Sequence, residues 1–476
     1  YKCVRAENVR FGGCSPRSAT ESSASCAPSS AAWSWDAWQR AATASSHPRK
    51  SKGSNGYCSR ALRKGADGLA AGNAIAVIGA GAAGLMAAAA AAGAGASVTV
   101  YERNGMAGRK ILVSGKGRCN FTRDCSAQEL VEGFGPRGRF LYSALSSLGP
   151  AEMCVLMENL GVPYKIERGR RAFPASDRAS DIRDALYNRA VGRGARFEFD
   201  RRIVRLAVES GSVVGVVDAR DALFRADAVI CASGGASYPA TGSTGDGYAL
   251  ARQAGHSVNE PMPALVPMET VEEWPRPLAG LALRNVEVTL LDSGRTRGRE
   301  FGEMLFTHYG VGGPIILTLS RAVCQAQRTR REVGPGRFTL SIDLKPALSE
   351  ETLDRRIQRD LAVMSRKQLK NSLDMMLPKA LIPAVIQSAE VDDTTPANQV
   401  TAAQRAALVG AFKRLRLTVL RPRPLEEAIV TAGGVELSEV DPRTMESKLM
   451  RGLFFAGEVL DVDGPTGGYN LQAAFS

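Results

Sequence analysis

Residues 74–84 read Ala74-Ile75-Ala76-Val77-Ile78-Gly79-Ala80-Gly81-Ala82-Ala83-Gly84, a short apolar run followed at once by a GxGxxG pattern. The run has the length of a buried strand. Leu85-Met86 and the alanines up to Ala92 form helix readily, and Ser97-Val98-Thr99-Val100-Tyr101 is β-branched again. Strand, glycine turn, helix and strand is the order a dinucleotide-binding fold requires. In that setting Gly79 permits a tight turn, Gly81 lets the backbone reach a pyrophosphate, and Gly84 lets helix and strand pack closely. The helix start at Ala82 and Ala83 offers free N–H groups and partial positive charge to phosphates. Glu102, 18 residues after Gly84, follows the second strand with Arg103 beside it and is placed to accept from a ribose diol.

No charged residue lies between Asp67 and Glu102, a span that superficially suits a membrane helix. The glycines and the switch of pattern argue for strand–helix–strand instead, so no transmembrane segment is expected. A second GxGxxG, Gly133-Phe134-Gly135-Pro136-Arg137-Gly138, has no strand before it, and Pro136 removes an N–H where a phosphate cradle needs donors. It is expected to be a loop. With no second strand-flanked copy, a separate NAD(P)H-binding domain is not read.

At 476 residues, 44% of them hydrophobic and 23% charged, the chain is of ordinary globular composition and long enough for several domains. Its formal charge of +13 is uneven: residues 1–72 carry +7. The remainder shows no dense basic run with interleaved aromatics, so nucleic-acid binding is not expected. Residues 1–72 are rich in Ser, Ala and Arg, poor in acids and without apolar periodicity, the composition of an organelle transit peptide. A plastid is favoured over mitochondrion or cytoplasm, and the chain, opening at Tyr1, is expected to begin further upstream. The cysteines after this leader (Cys119, Cys125, Cys154, Cys231 and Cys324) show no CxxC and no zinc spacing, which suits free thiols and no metal. Nothing in the sequence fixes an oligomeric state.

Two further blocks decide between NAD and FAD. Gly105 to Lys110, with Gly108, Arg109 and Lys110, leads into Ser114-Gly115-Lys116-Gly117-Arg118-Cys119-Asn120, a glycine-rich basic loop suited to a longer cofactor. Near the C-terminus, Leu453-Phe454-Phe455-Ala456 leads into Gly457-Glu458, then Asp461, then the turn Gly464-Pro465-Thr466-Gly467-Gly468-Tyr469-Asn470 and Gln472. A strand ending in glycine and a carboxylate, beside a glycine turn that starts a helix, can hold ribityl hydroxyls and aim amides at a flavin ring. FAD is the cofactor that needs both blocks.

Taken in order, five blocks resemble the BaiN/YhiN-type family of FAD-dependent oxidoreductases within the glutathione-reductase-like superfamily. They are Gly108 to Asn120; the run Ala232-Ser233-Gly234-Gly235 to Gly247; Thr307-His308-Tyr309-Gly310-Val311-Gly312-Gly313-Pro314; Val430-Thr431-Ala432-Gly433-Gly434-Val435; and Gly457 to Gln472. Where many relatives read Ala-Thr-Gly-Gly, Ser233 keeps a hydroxyl. The resemblance implies a Rossmann-like α/β FAD-binding domain made of residues 73–265 and 430–476 and interrupted by an insert domain over 266–429. It also implies that the closing helix runs on past Ser476. Short strand patterns at 285–290 and 337–342 make 266–345 β-rich, with β-barrel-like strands; 346–429 reads as a helical subdomain.

By this resemblance the reaction is hydride or two-electron transfer through flavin N5 on a small organic substrate, with NAD(P)H as transient co-substrate. His308, beside a glycine turn, is the histidine to test as proton donor. Cys119 is a flavin-proximal or redox candidate, although Cys125 lies one residue too far away for the paired spacing of disulfide reductases. Alternative functions are an FAD-stabilised RNA-modifying or RNA-binding flavoprotein and a thiol–disulfide oxidoreductase.

Overall fold

The computed structural model describes residues 72–329 and 336–476. The leader assigned to 1–72, and the plastid expectation resting on it, lie outside the described residues up to residue 71.

The chain opens with β1 (Ala74–Ile78), α1 (Ala82–Gly93) and β2 (Ser97–Tyr101), as the quoted stretch predicts. The helix is alanine-rich because it lies close against the sheet: Ala88 and Ala89 have no exposed surface. A short helix, α2 (Arg109–Val113), follows, and later come β3 (Arg196–Glu198) and β4 (Ala228–Cys231). Helix α3 (Asp246–Gln253) precedes β5 (Val258–Ala264).

The insert is a closed antiparallel barrel of β6 (Met268–Thr270), β7 (Ala282–Asp292), β8 (Arg295–Thr307), β9 (Gly310–Gly312), β10 (Phe338–Asp343) and β11 (Leu415–Pro422). Helix α4 (Pro314–Thr329) packs on β8, where Gly298 and Gly302 leave room for Leu319 and Ile315. The helices Glu350–Val363, Ile382–Ser388 and Ala402–Lys413 intervene before β11. The helical reading of 346–429 is therefore corrected at its end. Leu415, Leu417 and Val419 are buried while Arg416 and Leu420 are exposed, and this period-two alternation makes the strand that closes the barrel.

After the insert, β12 (Val430–Val435) pairs antiparallel with β5, and β13 (Leu453–Phe455) is followed by α5 (Tyr469–Phe475). The order β13-β4-β1-β2-β3 forms a five-stranded parallel sheet with β1 at its centre. Central parallel strands are buried on both faces, which explains the uninterrupted apolar run of β1. The C-terminal strand thus completes a sheet begun more than 350 residues earlier in the chain.

The second GxGxxG is not a loop: Gly133 ends the helix Ala127–Gly133 and Gly135–Leu141 is a 3-10 turn, so a helix rather than a strand precedes it. Among the described residues, one helical run, Gly135–Asn159, is long and apolar enough to cross a membrane, with 44% of that window buried in the structure. It breaks at Leu148-Gly149 before Pro150 opens a new helix.

Candidate functional site

The cradle follows from three glycines, each needed for a different reason. Gly79 has φ +99°, and a Cβ there would lie 2.6 Å from the Ala232 carbonyl oxygen. A Cβ on Gly84 would clash with the Gly79 carbonyl oxygen, which lets α1 sit against the turn. Gly81 is the N-cap of α1 with no side-chain cap, and a Cβ on it would meet nothing within 4 Å. The first-turn N–H groups of α1 are therefore left for a ligand, at the positive end of the helix.

Glu102 is buried at the end of β2. One carboxylate oxygen accepts from the Ala80 N–H at 2.7 Å; the other accepts from the backbone N–H of Asn104 at 2.9 Å and its side-chain amide at 2.6 Å. Asn104 also donates to the Thr241 carbonyl at 3.2 Å and accepts from Arg109 at 2.9 Å. Beside it the Asp246 carboxylate accepts from Arg202 at 2.9 and 2.8 Å and from Arg103 at 3.1 Å. Burial pushes the Asp246 carboxyl up, but these arginines outweigh it and hold the group below the usual range.

Glu458 pins the C-terminal block to the first one. Its carboxylate accepts from Lys110 Nζ at 2.7 Å, from Ser237 Oγ at 3.1 Å and from the Thr431 N–H at 2.8 Å. Lys110 Nζ also donates to Ser237 Oγ at 2.7 Å. Further along, Gly115, Lys116, Gly117 and Cys119 all have positive φ, curling the loop so that Arg118 lies 4.2 Å over the Phe173 ring and 2.9 Å from Glu167.

One cavity of about 900 Å³ joins these features. Its walls run from the glycine cradle past Glu102, Lys110 and Glu458 to Phe173 and Arg171, and then to Met304, Leu305, Pro314 and Leu317 of the insert. A cavity of that size lies within the range of small-molecule and cofactor sites. The uncapped helix start, the open face of Gly81 and a carboxylate at the second strand fit the pyrophosphate and ribose of FAD. Glu458 and the Gly467-Gly468 turn, at the far end of the chain, lie on the same cavity.

The predicted cofactor contacts line this cavity with seven exceptions: Gly84, Gly117, Cys119, Gly235, Asp461, Tyr469 and Gln472. Gly84 and Gly235 are spacers; a Cβ on Gly235 would lie 3.1 Å from Glu458. Gly117, at φ +82°, shapes the loop turn. Asp461 is buried and ties the halves together, pairing with Arg137 at 3.0 Å and with Arg328 of α4 at 2.8 Å and accepting from the Gly433 N–H at 2.9 Å. Tyr469 packs edge-on to Phe134, and Gln472 is buried against Thr122 and the Leu148 carbonyl.

Neither catalytic candidate is at the cavity. Cys119 is fully buried, and burial pushes its thiol up to about 12. Burial also raises the Cys125 thiol, and both cysteines are free. His308 is exposed on the turn between β8 and β9, its ring 4.6 Å from that of Tyr309. The sequence reading missed Asn104, Arg201, Arg202, Asp246 and Phe173, all on the cavity wall. Asn104, two residues past the acid that ends β2, had a local signal; the others arrive from distant segments.

A glycine cradle, an acid-ended second strand and a long cavity closed by a distant C-terminal strand define a Rossmann-like FAD-binding flavoenzyme. A family model described as "HI0933-like protein Rossmann domain" matches residues 73–476. The chain belongs to that family, the BaiN/YhiN family, and is an FAD-dependent oxidoreductase. It is 32% identical over 406 residues to a 3-dehydro-bile acid delta(4,6)-reductase of Clostridium scindens, covering 85% of this chain and 97% of the relative. It is 31% identical over 404 residues to a ribosomal RNA dihydrouridine synthase of Escherichia coli, covering 84% and 94%. A solved 3-ketosteroid-delta4-(5alpha)-dehydrogenase from Rhodococcus jostii RHA1 aligns over 84% of this chain and 96% of its own at 16% identity, with a TM-score of 0.43.

Proposed function

We propose that the chain reduces a carbon–carbon double bond conjugated to a carbonyl in a small ring substrate, with NAD(P)H as electron donor. The observation that carries this reading is one continuous cavity, to which the insert adds the apolar residues Met304, Leu305, Pro314 and Leu317, with Glu303 beside them, beyond the cofactor cradle. The names of the two relatives support it, because a 3-oxo-delta(4) steroid and uridine share a ring C=C beside a carbonyl. Bound FAD supplies hydride transfer at N5.

The balance is one NAD(P)H and one proton consumed, one NAD(P)+ released, and one C=C converted to CH–CH. Phe173, Met304, Leu305 and Leu317 give the cavity apolar surface that keeps water from a flat ring. Arg118 and Arg171 reach the same space as donors to a carbonyl oxygen, which draws electron density from the double bond. With no second dinucleotide turn in the sequence, the nicotinamide donor visits the same cavity before the substrate does. That requires ping-pong kinetics. A thiol–disulfide mechanism is disfavoured by the burial of Cys119.

Steady-state rates measured over a grid of NADPH and a conjugated cyclic enone test this. Parallel double-reciprocal lines are expected; intersecting lines with a ternary complex would contradict a shared cavity.

A further inference from the structure

Two arms meet beside the cavity. One is the hairpin of strands Tyr164–Glu167 and Arg171–Pro174, whose turn reads Arg168-Gly169-Arg170. The other is the outer face of β8, where Arg299, Phe301 and Glu303 are exposed on one side of the strand. They touch where Arg168 lies 5.0 Å over the Phe301 ring and donates to Asn285 of β7 at 2.5 Å. Glu303, two strand residues or about 7 Å beyond Phe301, already lines the cavity. The junction is therefore at the cavity mouth.

Charge at this mouth is uneven. Among the described residues no carboxylate pairs with Arg168, nor with Arg171 and Lys116, which line the cavity. The carboxylates beside Phe301 are matched: Glu287 faces Arg299 at 3.6 Å, and Glu303 faces Arg284 at 3.9 Å. Arg299 still keeps a side chain 62% exposed. A surface pair of this kind contributes little and exchanges readily for a phosphate, which Arg binds in bidentate fashion. Phe301 is 49% exposed, an aromatic ring standing in solvent between the two arginines. A neutral ring substrate inside the cavity reaches none of Arg168, Arg299 and Phe301.

The electron donor does reach them. A cavity of about 900 Å³ that takes FAD has space for a nicotinamide ring beside the flavin, not for a second whole dinucleotide. The sequence has no second strand-flanked GxGxxG to bind the other half. The adenosine half must then lie at the mouth. A site that selects NADH offers a carboxylate to the adenosine ribose diol, whereas one that selects NADPH offers an arginine to the 2′-phosphate. We propose that this mouth selects NADPH over NADH, with Arg168 and Arg299 holding the 2′-phosphate and the adenine resting against Phe301. The proposal rests on the reading of NAD(P)H as donor, and names which nucleotide and which residues choose it.

The test is anaerobic stopped-flow reduction of the full FAD-loaded chain by NADPH and by NADH, each over a range of concentrations. It yields an apparent Kd and a limiting rate of flavin bleaching for each nucleotide. Wild type is expected to bind NADPH at least about tenfold more tightly than NADH, the effect of one charge-assisted hydrogen-bonded contact, at similar limiting rates. Arg168→Gln and, separately, Arg299→Gln are expected to shrink that ratio, and Arg168→Lys, which keeps the charge, to retain more of it. Because the ratio is read within one variant, loss of folded or flavin-loaded protein cancels. Equal Kd values in wild type, tighter NADH, or an NADPH preference undiminished in both Gln variants overturns the proposal. Bleaching by neither nucleotide overturns it together with the NAD(P)H reading; reoxidation of dithionite-reduced flavin by a conjugated enone would then leave the C=C reduction standing. An NADPH preference that either Gln variant erodes supports the proposal even if no enone reoxidises the flavin, and that second result overturns the conjugated-double-bond reading alone.

Discussion

Gly84 carries the largest consequence for its size. A methyl group there meets the Gly79 carbonyl oxygen, so Gly84→Ala must push α1 away from the turn and misdirect the N–H groups that face the cofactor. The variant is expected to fold, by circular dichroism, but to be purified colourless, and its FAD affinity by fluorescence titration should fall at least about tenfold, or about 1.4 kcal/mol. Cys119→Ala should behave in the opposite way. The thiol is buried and protonated, so turnover and flavin content should stay at wild-type level while stability drops modestly; loss of turnover with flavin retained would restore a redox role to this residue. His256 supplies a pH dependence. It is buried between Glu439 at 3.0 Å and Ser447 at 2.6 Å, and burial lowers its pKa despite the carboxylate. A histidine with a depressed folded-state value is stabilising while neutral, so its contribution is present above about pH 6.5 and is lost as the pH falls through the folded-state value. Urea midpoints should fall on acidification below that point, and His256→Asn should flatten the fall.

Among the elements, α4 connects the two parts of the site. Its start supplies Pro314 and Leu317 to the cavity wall; its later turns reach the C-terminal block through Arg321 to Asp463 at 2.9 Å and Arg328 to Asp461. Asp461→Asn removes the buried carboxylate shared by Arg137 and Arg328, which are themselves partly exposed. A cost of about 1–3 kcal/mol is expected from urea unfolding, and KM for the ring substrate should rise more than kcat falls. An unchanged urea midpoint would show that the helix is held by packing alone. The elements also divide by how far the sequence revealed them. The β1–α1–β2 unit was legible because a strand, a glycine turn and an alanine helix are all local patterns. Strand β11 was not: Leu415 to Pro422 follows directly on a helix, and its partners β6 and β10 lie far back in the chain. Arg201, Arg202 and Asp246 reach the cavity wall by the same kind of long-range folding. The β8 arginines were hidden differently, since 295–301 reads as a mixed run until alternation puts its basic residues and Phe301 on one face.

At the scale of the whole molecule, a parallel sheet built from both ends of the described chain and a barrel inserted between them enclose one cavity. The sheet end of the cavity carries the cofactor cradle, and the barrel end supplies Met304, Leu305, Pro314 and Leu317 to its wall. The most direct test is anaerobic titration of the full-length protein, purified with FAD, by NADPH and by NADH, followed by addition of a conjugated cyclic enone. One FAD per chain, a flavin band bleached by at least one nucleotide, and its return on adding the enone are the predicted results. A chain that retains no flavin after incubation with excess FAD would contradict the account.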